Sequence, residues 1–489
     1  MQALNNKFAV RRPVNAGERS PMKRNIDATE GPLFKKLLLF ALPIMATNIL
    51  QMLYNIADQV VVGQCAGKNA LSAVGCTGNL ITLTLCFCTG MSLGSGVSLS
   101  HAFGSKNKKS MKHIVDSAMI LSVVSGLFFG VFCFLMSPIF LGWMGTPSDI
   151  LGDAVTYLRI YYLGMPVNFI YNFGASMLRS IGDSKKPLIF LIVSGLLNVL
   201  LNCILDIGFG LGVIGVAIGT IASQTLSAIL VIITLLKGDG PLKLELKNLS
   251  PKWESVKKIL RIGIPTGLQS AMFAISNVLM QSSVNLFGSS AIAGSTAASS
   301  VENIAYMGMH SLTEANLTFT GQNYGAKKPE RIKKLLLISL LTVSVIGIVL
   351  GNGLYLLRDL LIPLFVNEND PAILSEILYA GGLRIAYIGI PYFTCGIMDV
   401  LDSTLRGIGK SVLPMIMTLI GSCIFRIIYI FAIFRPAFDA LQASGGNVLS
   451  SMNILFMVWS LSWLITIALL IPCVIYAFRW LKKLFGGNV

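Results

Sequence analysis

Apolar residues run in stretches long enough to cross a bilayer, and polar residues punctuate them at regular intervals. Twelve stretches reach the roughly 20 residues that a spanning helix needs. They cover residues 38–62, 79–103, 114–140, 151–178, 188–207, 213–236, 259–286, 291–320, 335–361, 377–405, 412–434 and 453–478. The expected fold class is an all-α integral membrane protein with 12 transmembrane helices, six in each half.

The pattern also repeats in residue identity. LRIYYLGMP (Leu158 to Pro166) returns as LRIAYIGIP (Leu383 to Pro391), and RSIGDSKKP (Arg179 to Pro187) returns as RGIGKSVLP (Arg406 to Pro414). Pro43 pairs with Pro265, and FGSKNKK from Phe103 answers YGAKKPE from Tyr324. A period far above the 20 to 50 residues of solenoids indicates two lobes. Because six is even, both repeats enter from the same face, so they are related by an axis along the membrane normal. The expected divisions are a disordered tail over 1–36, a six-helix lobe over 37–236, a linker over 237–258, a second six-helix lobe over 259–480 and a short tail over 481–489.

Composition agrees with a membrane setting: 54% of residues are hydrophobic and 12% charged, with mean hydropathy +0.73, against about 25% charged in soluble domains. The net charge of +16 does not indicate a nucleic-acid partner, because Lys and Arg crowd alternate connections. They fill the N-terminal tail, the 106–112, 179–186, 237–261 and 327–334 segments, Arg406 with Lys410, and the tail from Arg479. The opposite connections hold Lys68, Arg358 and Arg435. By the positive-inside rule both termini are expected in the cytoplasm of a multi-pass cell-membrane protein. The first 36 residues lack the apolar core of a signal peptide, so the first apolar run should remain as a helix. Nine cysteines fall mostly inside apolar spans without a CxxC pair, which suits packing rather than disulfides or zinc.

Enzyme signatures are missing. GLGVIG (Gly210 to Gly215) has no preceding strand and reads as an external turn. GMSLG (Gly90 to Gly94) and GVAIG (Gly215 to Gly219) are small-residue spacings for close helix packing. With three histidines, His101, His113 and His310, and no HExxH or GxSxG, no catalytic constellation forms.

The remaining chemistry is a sparse set of charges inside the spans. An ionised Asp at a helix centre costs about 2.5–3.5 kcal/mol on insertion scales, so such residues face a cavity or a partner. Asp58 sits on the first helix. Asn198, Asn202 and Asp206 form a stripe at four-residue spacing on the fifth, which suits a cation or proton site, although capping at the outer interface would serve Asp206 as well. Glu302, Tyr306, His310 and Glu314 drift along one broad face of the eighth helix, as a polar pathway or as helix-to-helix hydrogen bonds. Asp402 is placed to pair with Arg406 one turn on. Asp399 has no such local partner, and Arg426 must pair, snorkel or line the cleft.

These residues together resemble the multidrug and toxic compound extrusion family. The resemblance rests on LYNIADQVVVGQCAGKNALSAVG, the twin RxIGxSxxP loops, LLNVLLNCILDIGFGLGVIGVAIGTIASQ and GQNYGAKK, and it spans about residues 35–480. It implies secondary active export of amphipathic drugs or organic cations by alternating access, in antiport with protons or sodium ions and with no other cofactor. Within it, Asp58, Asn202 and Asp206 match the coupling-ion residues of the N-terminal lobe, and Asn198 extends their stripe; a sodium ion would sit among Asp58, Asn202 and Asp206. Some sodium-coupled members carry a glutamate in the seventh helix. Here Ile262 to Leu286 holds no acidic residue, so Glu302, His310 and Asp399 are the candidates for a C-lobe ion or substrate site. Tyr54, Phe169, Tyr171, Met52 and Met272 are candidates for the cleft wall. The partners expected are small-molecule substrates and membrane lipids, with the monomer as the working unit. A lipid-linked saccharide flippase of the wider superfamily is the alternative; it calls for extra spans and a basic cavity.

Overall fold

A computed structural model describes residues 25–61, 67–238, 242–366 and 370–486. Its N-terminal lobe holds α1 (Leu33–Val61), α2 (Gly67–Gly104), α3 (Lys108–Trp143), α4 (Ser148–Leu163), α5 (Met165–Ser180), α6 (Lys185–Asn202) with a π-helical turn Cys203–Gly208, and α7 (Val213–Leu236). Its C-terminal lobe holds α8 (Trp253–Val284), α9 (Ser289–Gly325), α10 (Pro329–Leu356), the short α11 (Arg358–Leu361), α12 (Pro371–Arg384) and α13 (Tyr392–Gly407). It closes with α14 (Val412–Thr418), α15 (Phe425–Tyr429) and α16 (Arg435–Ala443), joined through π-helical turns, and α17 (Met452–Phe485).

Ten segments among the described residues are long and apolar enough to cross a membrane. At the other two expected positions the chain is helical but different in kind. The 151–178 span is broken at Gly164 into α4 and α5, because Pro166 has no N–H to give and its ring blocks a continuous helix. The matching Pro391 breaks α12 from α13 across the π-helical turn Ile385–Gly389. The 291–320 span lies within one 37-residue helix, α9, whose Glu302, His310 and Glu314 lower its hydropathy.

Backbone torsions preserve the duplication. The two non-glycine residues with positive φ among those described are Lys106 (54°) and Lys327 (56°), which occupy equivalent places in FGSKNKK and YGAKKPE. Gly182 (89°) and Gly409 (84°) likewise match in the RxIG turns. That left-handed region carries a steric penalty for side-chain-bearing residues, so its recurrence at matched positions records a shared turn.

Each lobe has its own apolar core, one built from α2–α7 and the start of α8, the other from α8–α17. The lobes meet in two crossings that the duplication makes equivalent. The first half of α1 packs on α9, with Phe40 against Phe319 at 5.2 Å. In the same way α8 packs on α2, where Gly90 and Gly94 face Gly267 and Gly263 backbone to backbone. At the end carrying the Lys-rich loops, here called the basic face, Gly104 abuts the Gln322 carbonyl and Gly325 the His101 carbonyl.

Residues 25–32, expected as disordered tail, instead run across the basic face. Ile26 N–H donates to the Gly182 carbonyl of the N-lobe at 3.1 Å, while Ala28 N–H donates to Gln322 Oε1 of the C-lobe at 2.9 Å. The linker is docked too: Asp116 accepts from Ser250 N at 3.0 Å, and Leu244 is buried in the N-lobe core. All eight described cysteines are free, and the GLGVIG segment is a turn with Gly210 and Gly212 at positive φ.

Adding a methyl at Gly104 would drive it into the Gln322 backbone, whereas Gly78 has open space. Gly104→Ala should therefore destabilise the fold by about 1–3 kcal/mol through overpacking, and Gly78→Ala should be neutral or slightly stabilising. Thermal unfolding of the two purified variants in one detergent checks the contrast.

Candidate functional site

The N-lobe stripe faces α7. Ser194, Asn198 and Asn202 follow at four-residue spacing on α6, and a shared face is what an α-helix gives residues one turn apart. Ser227 of α7 donates to Ser194 Oγ at 2.7 Å, and the Asn202 amide oxygen fills the space over Gly219. Asn198 is 5% exposed, and its Oδ1 has no hydrogen-bond partner among the described residues. The side chains of Asp58 and Asp206 lie outside the described residues; their backbones belong to α1 and to the π-helical turn that follows α6.

Tyr54 of α1 packs over Gly195 of α6, and it lies on the N-lobe side. Phe169 and Tyr171 do not line an open wall in this structure. Phe169 is fully buried between Phe129 and Phe173, with ring centroids 5.7 and 6.3 Å away, and Tyr171 is in the same core. After the Pro166 break, α5 packs among the other N-lobe helices, and both rings lie in that shared core. Beside them, Asn172 Nδ2 donates to Asn168 Oδ1 at 2.7 Å and Asn168 Nδ2 to Gln224 Oε1 at 3.1 Å. This neutral amide chain borders a small cavity with Thr220 and Gly164.

The C-lobe is more heavily charged. Glu302 is 3% exposed and pairs with Arg384, whose Nε and Nη2 both lie 3.1 Å from Oε2. Arg384 Nη1 also donates to Ser295 Oγ at 3.1 Å. One turn along α9, Tyr306 donates to Asp399 Oδ2 over a long 3.5 Å, with its ring stacked between His310 and Tyr392. Asp402 pairs with Arg406 at 2.6 Å, as the spacing predicts, and accepts from Gln269 Nε2 at 3.3 Å. Arg426 is buried against Trp459, donating to Ser462 Oγ at 3.0 Å and Asn277 Oδ1 at 3.3 Å. Glu302 and Asp399 are thus held by different helices. Tyr392, which stacks on Tyr306 and donates to the Glu302 carbonyl at 3.5 Å, connects them.

The fourth member of the α9 series leaves its lobe. Glu314 Oε2 accepts from Arg179 Nη1 of α5 at 2.8 Å, and His310 Nε2 stands 3.8 Å from Oε1. Further toward the basic face, Gln322 Nε2 donates to the Ser180 carbonyl at 2.9 Å, and His101, its ring tilted against Tyr324, donates through Nε2 to the Gly407 carbonyl at 2.7 Å. Among the described residues, the polar lobe-to-lobe contact furthest from that face is Asn48 Nδ2 to Ser311 Oγ at 3.3 Å, near the midpoint of α1. Beyond it α1 turns to α6 and its own lobe.

Arg384, Gln269 and the Asn168–Asn172–Gln224 amides were not singled out from sequence. Arg384 was visible there as a cation repeated in both LRI motifs. The amides carry no charge in the sequence pattern, and only their packing identifies them.

A buried charge left alone costs far more than the same pair removed together. Arg384→Met should therefore destabilise the protein by about 3–5 kcal/mol, and adding Glu302→Gln should restore much of the loss. Chemical or thermal unfolding of the two singles and the double closes the cycle.

The MatE family model matches the chain twice, over residues 43–204 and 265–432. The "Probable multidrug resistance protein YoeA" of Bacillus subtilis is 27% identical over 394 residues, 79% of this chain and 84% of its own. The "Multidrug export protein MepA" of Staphylococcus aureus is 23% identical over 82% of this chain and 88% of its own. A structure described as the outward-facing conformation of a multidrug resistance MATE family transporter superposes with a TM-score of 0.83 at 19% identity, covering 94% of this chain and 99% of that one.

Proposed function

Because this chain belongs to the MatE family, we propose that it exports amphipathic drugs and organic cations by antiport with protons or sodium ions. The observation that carries the reading is the one-sided seal: the described polar contacts between lobes run from the basic face to mid-membrane. Two lobes closed at one end and, among the described residues, free of such contacts at the other are what alternating access needs. The names of YoeA and MepA, a resistance and an export protein, agree with the substrate class.

The lobes are residues 37–236 and 259–480, with 237–258 as linker, and the basic face is cytoplasmic. The monomer contains both lobes and needs no second copy to form the cleft. Asp58, Asn202 and Asp206 are the coupling-ion residues, with Asn198 beside them, and a sodium ion would sit among the first three. In the C-lobe, Asp399 is the stronger candidate. Glu302 is neutralised by Arg384, whereas among the described residues Asp399 holds only the long bond from Tyr306, beside the partly exposed His310. An ion arriving at such a carboxylate reduces its attraction for a cationic substrate, so one charge links the two movements.

The flippase alternative wants a cavity lined by cations. Among the described residues of the C-lobe, Arg384 is matched by Glu302 and Arg406 by Asp402, which leaves Arg426 as the one buried arginine without a carboxylate and weakens that reading.

In proteoliposomes with separately imposed proton and sodium gradients, ethidium should move under one of them, and the gradient that works names the ion. Asp58→Asn should abolish this movement with folding intact; unchanged transport would remove Asp58 from the mechanism. Asp399→Asn in parallel assigns the coupling lobe. Headgroup translocation without either gradient would favour the flippase.

A further inference from the structure

We propose that Glu314 is a capture site for organic cations, and that Arg179 is a tethered stand-in for the cation when the basic face is closed. The inference rests on the export reading above and adds to it a residue and a ligand class. The pair spans the lobe seam at 2.8 Å, each side chain 19% exposed, and it borders a cavity lined also by Leu93, Ser176, Leu317 and Thr318.

The duplication isolates what this pair is for. Arg406, the repeat partner of Arg179, finds Asp402 one turn earlier on its own helix. The equivalent position before Arg179 is Ala175, so its charge must be met from elsewhere. Glu314 in turn corresponds to Leu93, through the register that pairs Phe103 with Tyr324. Glu314 has no charged counterpart in the other repeat, and Arg179, unlike Arg406, has no carboxylate one turn earlier on its own helix. Both belong to the seam.

If the seam opens toward the basic face, Arg179 withdraws with the N-lobe and Glu314 stays with α9. A partly buried carboxylate stripped of its cation favours any replacement that fits. The one cation it has shed is a planar guanidinium, and His310, one turn away on α9, stands 3.8 Å from the same carboxylate. The ligand class is therefore a monovalent organic cation with delocalised charge, which takes the place of that guanidinium at Glu314. On closure Arg179 returns to the carboxylate and competes the ligand off, so seam closure and release toward the cleft become one event.

The test is ethidium binding to the purified full-length protein, followed by its fluorescence, with uncharged Nile red as control. Charge-assisted contacts of this kind are worth roughly tenfold in affinity. Arg179→Gln, which unmasks Glu314, should tighten ethidium about tenfold. Glu314→Gln should weaken it about tenfold, the double variant should follow Glu314→Gln, and Nile red should be indifferent to all three. If the pair is only a latch, both single variants loosen the seam alike; ethidium affinity moving in the same direction in both, or in neither, overturns the proposal. Should Glu314→Gln not fold, Glu314→Ala takes its place with the same expectations and the same overturning outcomes. Wild-type vesicles that export no ethidium while Arg179→Gln binds it more tightly would sink the export reading and leave the site standing.

Discussion

An ionised side chain inside a bilayer must find a partner, and where this chain finds each partner divides its polar groups into two kinds. Glu302 with Arg384, and Asp402 with Arg406 and Gln269, are matched within the C-lobe. Such pairs contribute little net stability over an apolar core, but removing one member is costly, so they hold the lobe to one internal arrangement. Arg179 with Glu314 is matched between lobes. It survives only while the lobes stay in the present relation, and it is the charge pair that any rigid-body rocking has to break.

Gene duplication supplied the frame on which this division was drawn. The two halves keep the same proline breaks at Pro166 and Pro391 and the same left-handed turns at Gly182 and Gly409. They have not kept the same chemistry. Arg384 meets a carboxylate where Arg159 lies over the Phe134 ring, and Asp399 stands where the first repeat has the neutral Asn172. Backbone geometry is held by steric limits that tolerate few residues, whereas an interior polar position needs only some satisfied partner. The repeats could therefore diverge in charge without diverging in fold.

That difference also decides what sequence alone reveals. Spans, duplication and the Asp402–Arg406 pair are consequences of local spacing, and each could be read directly. Pro166 and Pro391 lie inside apolar runs, yet hydropathy averages across them, so the 151–178 and 377–405 positions each read as one helix where the structure has two. The burial of Phe169 between Phe129 and Phe173 depends on how α5 packs among its neighbours, which no local pattern encodes. Glu314 was seen as a member of a polar face, but its partner lies 135 residues away on another helix. Pairing across a seam is a property of how lobes dock, and periodicity within a helix is silent about it.

The chemistry of the seal fits a joint that opens. Along the first turns of α1, just inside the basic face, Leu37, Phe40 and Ile44 meet Phe319 of α9, and their burial alone would favour a permanent contact. Toward the basic face the contacts become hydrogen bonds: Ala28 to Gln322, Gln322 to Ser180, His101 to Gly407, and Arg331 to the Ala28 carbonyl at 2.9 Å. Each is worth only about 0.5–1.5 kcal/mol net when water is available to replace it, and at the basic end of the helices water is close. The segment 25–32 adds to this layer by bonding both lobes at once, so it registers their relative position through exchangeable contacts. A seal made of such bonds, laid over a narrow apolar crossing, closes with definite geometry and can be undone one bond at a time.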